Sequence, residues 1–337
     1  MKKIKIGQIG IGHNHGEAKM KAVRKFPELF EVIGYAEEDE RWIEKRSHSK
    51  GYEGVPRLSV EDVIEQSDTV LIESDVRDLT KYARMCIDAG KHIHMDKPAS
   101  GTLEEYRALL DSAKAQGLVV QLGYMYRYNP SIQEAFRRVE LGEIGSIHSI
   151  VAEMSTYHSD EYRAWLGQFS GGNMYIFGSH LVDLILLLLG EPKEIQSHVG
   201  RSGVNGVDSP DLSCATLIYD HAVARIFVSS VECNGWGRRC FSVAGSEGTI
   251  EIRPLEVPVK MTLAKKGAGK EYFEDYAREL PIVSLPDSCR YDEMIKDLYA
   301  FVTGQKENPY SYEHEYLVQK VLDRIVGGVS VYGENTD

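Results

Sequence analysis

The sequence predicts an α/β Rossmann domain with a parallel, doubly wound sheet, followed by an α+β domain with an open, mostly antiparallel sheet. Three observations carry this. Short apolar strands alternate with helices over residues 1–123. A glycine-rich turn sits between the first strand and the first helix. From residue 124 to 337 the pattern changes to a few helices and a run of β segments. Alternating elements with continuously apolar strands are the signature of a parallel sheet covered on both faces.

In order, "KIKIGQIGI" reads as a strand and "GEAKMKAVRKF" as a helix that ends before Pro27. "FEVIGYAE" is the second strand. "SVEDVIEQS" is a short helix with Ser59 as N-cap, a residue type whose oxygen can accept a free backbone N–H. "DTVLIES" is a strand, "LTKYARMCIDAG" a helix closed by Gly90, and "KHIHMD" a strand. "TLEEYRALLDSAKAQG" is capped by Thr102 and stopped by Gly117, and "LVVQLGYMY" is the last strand of the domain. Beyond it, "NPSIQEAFRRVELG" is a helix, "IGSIHSIVAEMS" a strand and "SHLVDLILLLLG" a buried helix. "EIQSHVGR", "LSCATLIYD", "AVARIFVSSVE", "CFSVAGSEGTIEIR" and "VKMTLAKK" are β segments, with "YDHA" and "GSEG" as hairpin turns. "YDEMIKDLYAFVTG" and "HEYLVQKVLDRIVGGV" are helical.

Composition narrows the function. With 337 residues, 42% hydrophobic and 27% charged, the chain is an ordinary soluble type with room for two domains. A net charge of −12 argues against nucleic-acid binding, which needs a basic patch for phosphates. The longest apolar run carries Asp183 and is too short for a bilayer, so no membrane partner is expected. The start lacks the apolar stretch of a signal peptide, and the five cysteines include no Cys-x-x-Cys pair. Both point to a cytoplasmic protein with free thiols.

The turn "GIGHNHG" departs from Gly-x-Gly-x-x-Gly. Gly10 and Gly12 fit, His15 stands third, and Gly16 comes one residue late. A nucleotide site is still expected, because the turn links a strand to a helix whose N-terminus favours a pyrophosphate. Glu37 closes the second strand where a ribose partner belongs, and favours NAD over NADP; Arg41 nearby leaves NADP open. Expected cofactor contacts are Gly10, Gly12, His13, Asn14 and Glu37. The plainer role for His13, Asn14 and His15 is polar capping of the helix. No metal is expected, since neither the His13/His15 pair nor "HIH" at 92–94 has a nearby third ligand with recognisable spacing.

At "AGKHIHMDKPAS" the chain resembles the Gfo/Idh/MocA oxidoreductases, with Asp96 where that family usually has Glu. "GYMYRYNPSIQEAF" and "WLGQFSGGNMYIFGSHLVDLILLLLGEP" extend the resemblance to nearly the whole chain. It implies a nicotinamide cofactor, NAD or NADP, a sugar, cyclitol or related polyol substrate, and a second domain that often mediates oligomers. It implies Lys97 and His180 as catalytic residues, with Lys97, Pro98, Ser74 and Asp75 near the cofactor. The chemistry suits those types: a lysine can stabilise charge on a substrate oxygen, and a histidine titrates near neutrality.

Two departures stand out. The aspartate usual one turn before the histidine is Ile176 here, leaving Asp183 as a candidate to orient His180 or to serve structure. In "IESDVRDLTKYA", Ser74 and Asp75 replace the usual Thr-Pro or Thr-Asn, and Leu79 the usual histidine. Tyr126, Arg127, Tyr157, Tyr175 and Asp183 are candidate substrate contacts, with packing as the plain alternative for each. The leading expectation is an NAD-dependent dehydrogenase of a sugar or polyol. An NAD-dependent glycosidase with no net redox, and a non-catalytic sensor, are the alternatives that Ile176 leaves open. A homodimer or homotetramer is expected, because an open sheet has a face to cover.

Overall fold

A computed structural model of the chain describes residues 3–269, 274–283 and 285–327. Met1–Met125 with Asp287–Gln319 form one unit, and Tyr126–Pro286 with Lys320–Asp337 the other.

The first unit runs β1 (Ile4–Ile9), α1 (Gly16–Arg24), β2 (Phe30–Ala36), α2 (Glu40–Arg46), α3 (Val60–Gln66), β3 (Thr69–Ile72), α4 (Leu79–Asp88), β4 (His92–Met95), α5 (Leu103–Ala115) and β5 (Val120–Leu122). Its five strands lie in the order β2-β1-β3-β4-β5, every pair parallel. β3 is buried along its whole length, which is why it reads as an unbroken apolar run. The chain leaves β1 in one direction for β2 and in the other for β3. Ligands bind sheets of this kind in the crevice outside the strand ends at such a reversal. Ser59 Oγ accepts the Asp62 N–H at 3.0 Å, and Thr102 with Glu105 forms a reciprocal capping box. The sequence reading lacks α2. It is seven residues long, mostly charged, and starts where Asp39 accepts the Arg41 N–H.

The second unit contains α6 (Pro130–Glu140), β6 (Ile147–Ser155), α7 (Asp160–Leu166), α8 (Ser179–Leu189), β7 (Glu194–Gly200), β8 (Leu212–Ile218), β9 (Val223–Ser229), β10 (Cys240–Gly245), β11 (Gly248–Ile252), β12 (Met261–Lys265) and β13 (Arg278–Glu279). Eight strands are ordered β13-β12-β11-β10-β6-β9-β8-β7. Only β6 and β9 pair in parallel, so the sheet is mostly antiparallel as expected. The apolar run is the helix α8, buried from Ser179 through Leu186. A π-helical turn, Met174–Gly178, runs directly into it. No helix among the described residues is long and apolar enough to cross a membrane.

Two helices close the chain: α9 (Asp292–Val302) and α10 (Tyr312–Ile325). The sequence division at 123/124 put both with the second domain; residues 287–319 instead group with the first. The reason is local bonding. Lys25 Nζ lies 2.7 Å from Asp292, Gln121 donates to the Met294 carbonyl at 3.0 Å, and Phe30 meets the Tyr299 ring edge-on. The strand expected to run on through Tyr126 stops at Leu122 and gives way to a 3-10 turn, Met125–Tyr128. The last two residues of the helix expected to reach 329 lie outside the described residues.

Candidate active site

The glycine turn is shaped by backbone contact. Gly10 has φ +85, and a Cβ there would stand 2.2 Å from Ser74 Cα, so the position admits only glycine. At Gly12 a Cβ would meet Trp42 Nε1 at 2.7 Å and the Asp75 backbone nitrogen at 3.0 Å. In the usual motif the third glycine allows helix and strand to pack closely. Here Gly16 does this: its Cβ would lie 3.1 Å from Glu73 Cβ. The late glycine is thus the functional third one, and His15 is released for other contacts.

Glu37 lies beside this turn. One carboxylate oxygen accepts the Ile11 N–H at 2.8 Å; the other accepts the Glu38 and Asp39 N–H groups at 3.0 Å each. The acid is therefore held at the end of β2, beside the glycine turn. Asn14 accepts from Arg46 at 2.7 Å. Ser74 Oγ donates to the Asp75 carbonyl, and Asp75 binds Arg77 through both oxygens. Burial would raise the Asp75 pKa, but the Arg77 hydrogen bonds outweigh it and leave it lowered. The Ser74 hydroxyl thus donates within its own loop, and Asp75 also lies 3.6 Å from Arg41 of α2.

Of the expected capping, His13 supplies a part, its Nδ1 accepting the His15 N–H at 3.3 Å. His15 makes no side-chain cap, and both His13 Nδ1 and His15 Nδ1 lie 3.1 Å from Asp96 Oδ2. Lys19, one turn into α1, binds the same oxygen and also Glu73 at 2.8 Å. The other Asp96 oxygen accepts the Lys97 N–H at 2.7 Å. Lys97 is itself only 2% exposed. One carboxylate thus ties the glycine turn and α1 to the residue two past the end of β4.

Burial pushes the His13 pKa down, His15 to about 4 and His94 to about 3, so these rings are neutral at physiological pH. Burial opposes ionisation of Asp96, but a hydrogen bond from His13 and the Lys19 ammonium hold it well below the usual range. Burial raises Glu73, and Lys19 only partly offsets this. His13, His15 and Asp96 bring ligand atoms within 4.8 Å of one another, the third partner that the sequence did not reveal. The Lys19 ammonium already supplies the cation at that carboxylate, and the group reads as a buried hydrogen-bond network.

In the second unit His180 is the second residue of α8 and 4% exposed. Its ring meets that of Tyr126 perpendicularly, with centroids 5.1 Å apart. Tyr126 donates to Glu256, which Arg239 also binds at 3.1 Å. Arg127 and Asp183 form a buried fork, at 2.9 and 2.6 Å. This corrects the expectation that they meet substrate: each satisfies the other's charge. Tyr175 is fully buried and stacks on Phe169, so it is core. Tyr157 is 58% exposed. Ile176 is buried and brings no carboxylate one turn before His180. Sequence reasoning missed Lys19, Glu73, Trp42, Glu256 and Arg239; a lysine on the apolar face of α1 was the one visible signal.

The cofactor fit rests on three features: a turn emptied of side chains at Gly10 and Gly12, an acid fixed at the end of β2, and a buried indole N–H beside Gly12 with no acceptor among the described residues.

Comparison with known proteins agrees. Residues 4–124 match the family model described as "Oxidoreductase family, NAD-binding Rossmann fold", and residues 132–251 match the GFO/IDH/MocA C-terminal domain. The uncharacterized oxidoreductase YhhX of Escherichia coli is 26% identical over 83% of this chain and 86% of its own. The NAD-dependent scyllo-inositol 2-dehydrogenase of Bacillus subtilis is 29% identical, over 56% of this chain and 55% of its own. Levoglucosan dehydrogenase, solved with NADH and levoglucosan, superposes with a TM-score of 0.82 at 19% identity over 96% of each chain, a likeness of fold. With both of its domains matched, the chain belongs to the Gfo/Idh/MocA family of NAD-binding oxidoreductases.

Proposed function

We propose that the protein is a dehydrogenase that oxidises a secondary hydroxyl of a sugar, cyclitol or related polyol, with NAD as the preferred acceptor and NADP as the second choice. The observation that supports it most is the glycine turn closed against Ser74, with Glu37 fixed beside it. Two of the relatives above carry names that place a hydroxyl-bearing ring as substrate.

The nicotinamide, when bound, supplies the hydride acceptor. The chain's own residues handle position and protons. Lys97, held at its main-chain N–H by Asp96, stabilises negative charge on the substrate oxygen. His180 takes the hydroxyl proton. Tyr126 sets the ring plane of His180. Tyr157 is the exposed member of the proposed substrate contacts. Glu37 accepts from a ribose hydroxyl and disfavours a 2′-phosphate by charge repulsion.

The test is absorbance of reduced nicotinamide with purified protein, NAD or NADP, and a panel of polyols, sugars and sugar acids. A rise with one substrate class is expected. Bound NAD with no rise on any of them would overturn the reading.

The same reading places the protein in the cytoplasm as a homodimer or homotetramer. Its support is five unpaired cysteines and a partly open sheet face on which Val223 is 40% exposed. A monomer by light scattering at micromolar concentration would contradict the oligomer.

A further inference from the structure

Trp42 is a core residue with an unmet need. Its ring packs with Ile11, Met20, Tyr35 and Tyr52, and it is 9% exposed. Its Nε1 is buried and has no hydrogen-bond partner among the described residues. An indole N–H is a donor only, and buried tryptophans nearly always find it an acceptor. Leaving such a donor unmade costs more than a typical hydrogen bond gains. A buried orphan donor therefore calls for an explanation, and a ligand that arrives later is one.

The place of this donor is informative. The volume that a side chain at Gly12 would fill is bounded by Trp42 Nε1 at 2.7 Å and the Asp75 nitrogen at 3.0 Å. In a turn of this kind the second glycine is kept bare so that a pyrophosphate can approach the backbone. The charge around the ring has the matching sign. The Arg41 guanidinium lies 4.4 Å from the ring centroid, Arg46 4.7 Å and the Lys45 ammonium 5.7 Å. Arg46 also donates to the carbonyls of Ile11 and His13, so it is built into the turn rather than free to wander. Asp39 and Asp75 offset Arg41.

We propose that the Trp42 indole N–H donates to a diphosphate oxygen of the bound dinucleotide, making this core residue a direct cofactor ligand. The inference rests on the dinucleotide reading of the turn and names a donor from α2 that the glycine motif does not contain. The acceptor is a pyrophosphate, so the contact serves NAD and NADP alike and is independent of the substrate.

The test is calorimetric titration of Trp42→Phe with NADH and with ADP-ribose, which carries the diphosphate without the nicotinamide. Phenylalanine keeps an apolar ring and removes the donor. A hydrogen bond to a charged group predicts dissociation constants about tenfold higher for both ligands. The melting temperature of the ligand-free variant should stay close to that of the wild type, which separates loss of the donor from loss of packing. Should Trp42→Phe fail to fold, a chain with Trp165→Phe and Trp236→Phe leaves Trp42 as the sole tryptophan; ADP-ribose should change the indole fluorescence excited selectively over tyrosine. Unchanged or tighter binding by Trp42→Phe, or an emission indifferent to ADP-ribose, overturns the proposal. A wild-type chain that binds neither ligand overturns the dinucleotide reading along with it, whereas wild-type binding with an indifferent variant removes this inference alone.

Discussion

Lys19 and Asp96 form an ion pair in which neither side chain has any solvent exposure. Removing water from two charges is costly, and only mutual attraction plus further hydrogen bonds offsets it. Here Glu73, His13, His15 and the Lys97 N–H supply those bonds. Lys19→Met should strand a buried carboxylate and destabilise the fold by about 3–5 kcal/mol. Chemical denaturation measures it. Adding Asp96→Asn to Lys19→Met should recover part of the loss; equal losses in single and double variants would mean that the two residues are not coupled.

Stability should fall as pH drops from about 6.5 to 4. His13, His15, His94 and His158 all have lowered pKa values through burial, His15 and His158 to about 4 and His94 to about 3. A histidine with a depressed folded pKa binds fewer protons folded than unfolded across that window, so acid favours the unfolded chain. The depressed Asp96 works in the same sense, at lower pH. Glu73, raised by burial, works oppositely, as its contribution falls when pH rises above its unfolded value. Five histidines, with His92 also lowered by burial, against two acids, Glu73 and the raised Asp78, set the net sign. Urea midpoints at pH 4.5, 5.5 and 7 check it; a flat series contradicts the assigned burial.

Gly10→Ala should abolish dinucleotide binding, because its Cβ would overlap Ser74 main-chain atoms and the position has φ +85. Gly16→Ala should be milder, since it presses only on side chains, Glu73 and Tyr52 at 3.1 Å and Gln8 at 3.2 Å, and on no main-chain atom. Titration with NADH separates the two, and equal affinities would contradict the close approach.

Lys97→Ala and His180→Ala should each lower kcat by roughly 100-fold or more, the usual worth of a positioned acid, base or charge stabiliser. NADH affinity of His180→Ala should be unchanged. Full turnover by either variant would remove that residue from the mechanism.

Asp183→Asn should act on stability rather than on substrate affinity, because Asp183 is committed to Arg127 in a buried fork. A loss of about 3–5 kcal/mol is expected. A KM change without loss of stability would restore it as a substrate contact.

Much of this was legible in the chain. Strand alternation, the Ser59 and Thr102 caps and the apolar run of α8 depend on neighbours in sequence, and each was found where the pattern put it. The Asp96 network was not, because His15 and Asp96 stand 81 residues apart and only the parallel sheet brings β4 beside the start of α1. α2 was hidden because "ERWIEKR" has only two apolar side chains, the adjacent Trp42 and Ile43, and no repeat to reveal a face. Tyr175 and Asp183 looked like ligands by type; burial decided otherwise.

The return of residues 287–319 to the first unit has a consequence for how the protein is made. During synthesis the whole middle of the chain emerges before α9 does. Until then Lys25, Phe30 and Gln121 lack the partners Asp292, Tyr299 and Met294. The nucleotide-binding half, first out of the ribosome, therefore cannot complete itself first. A chain stopped at residue 286 should expose that surface and bind a hydrophobic dye that the full chain ignores.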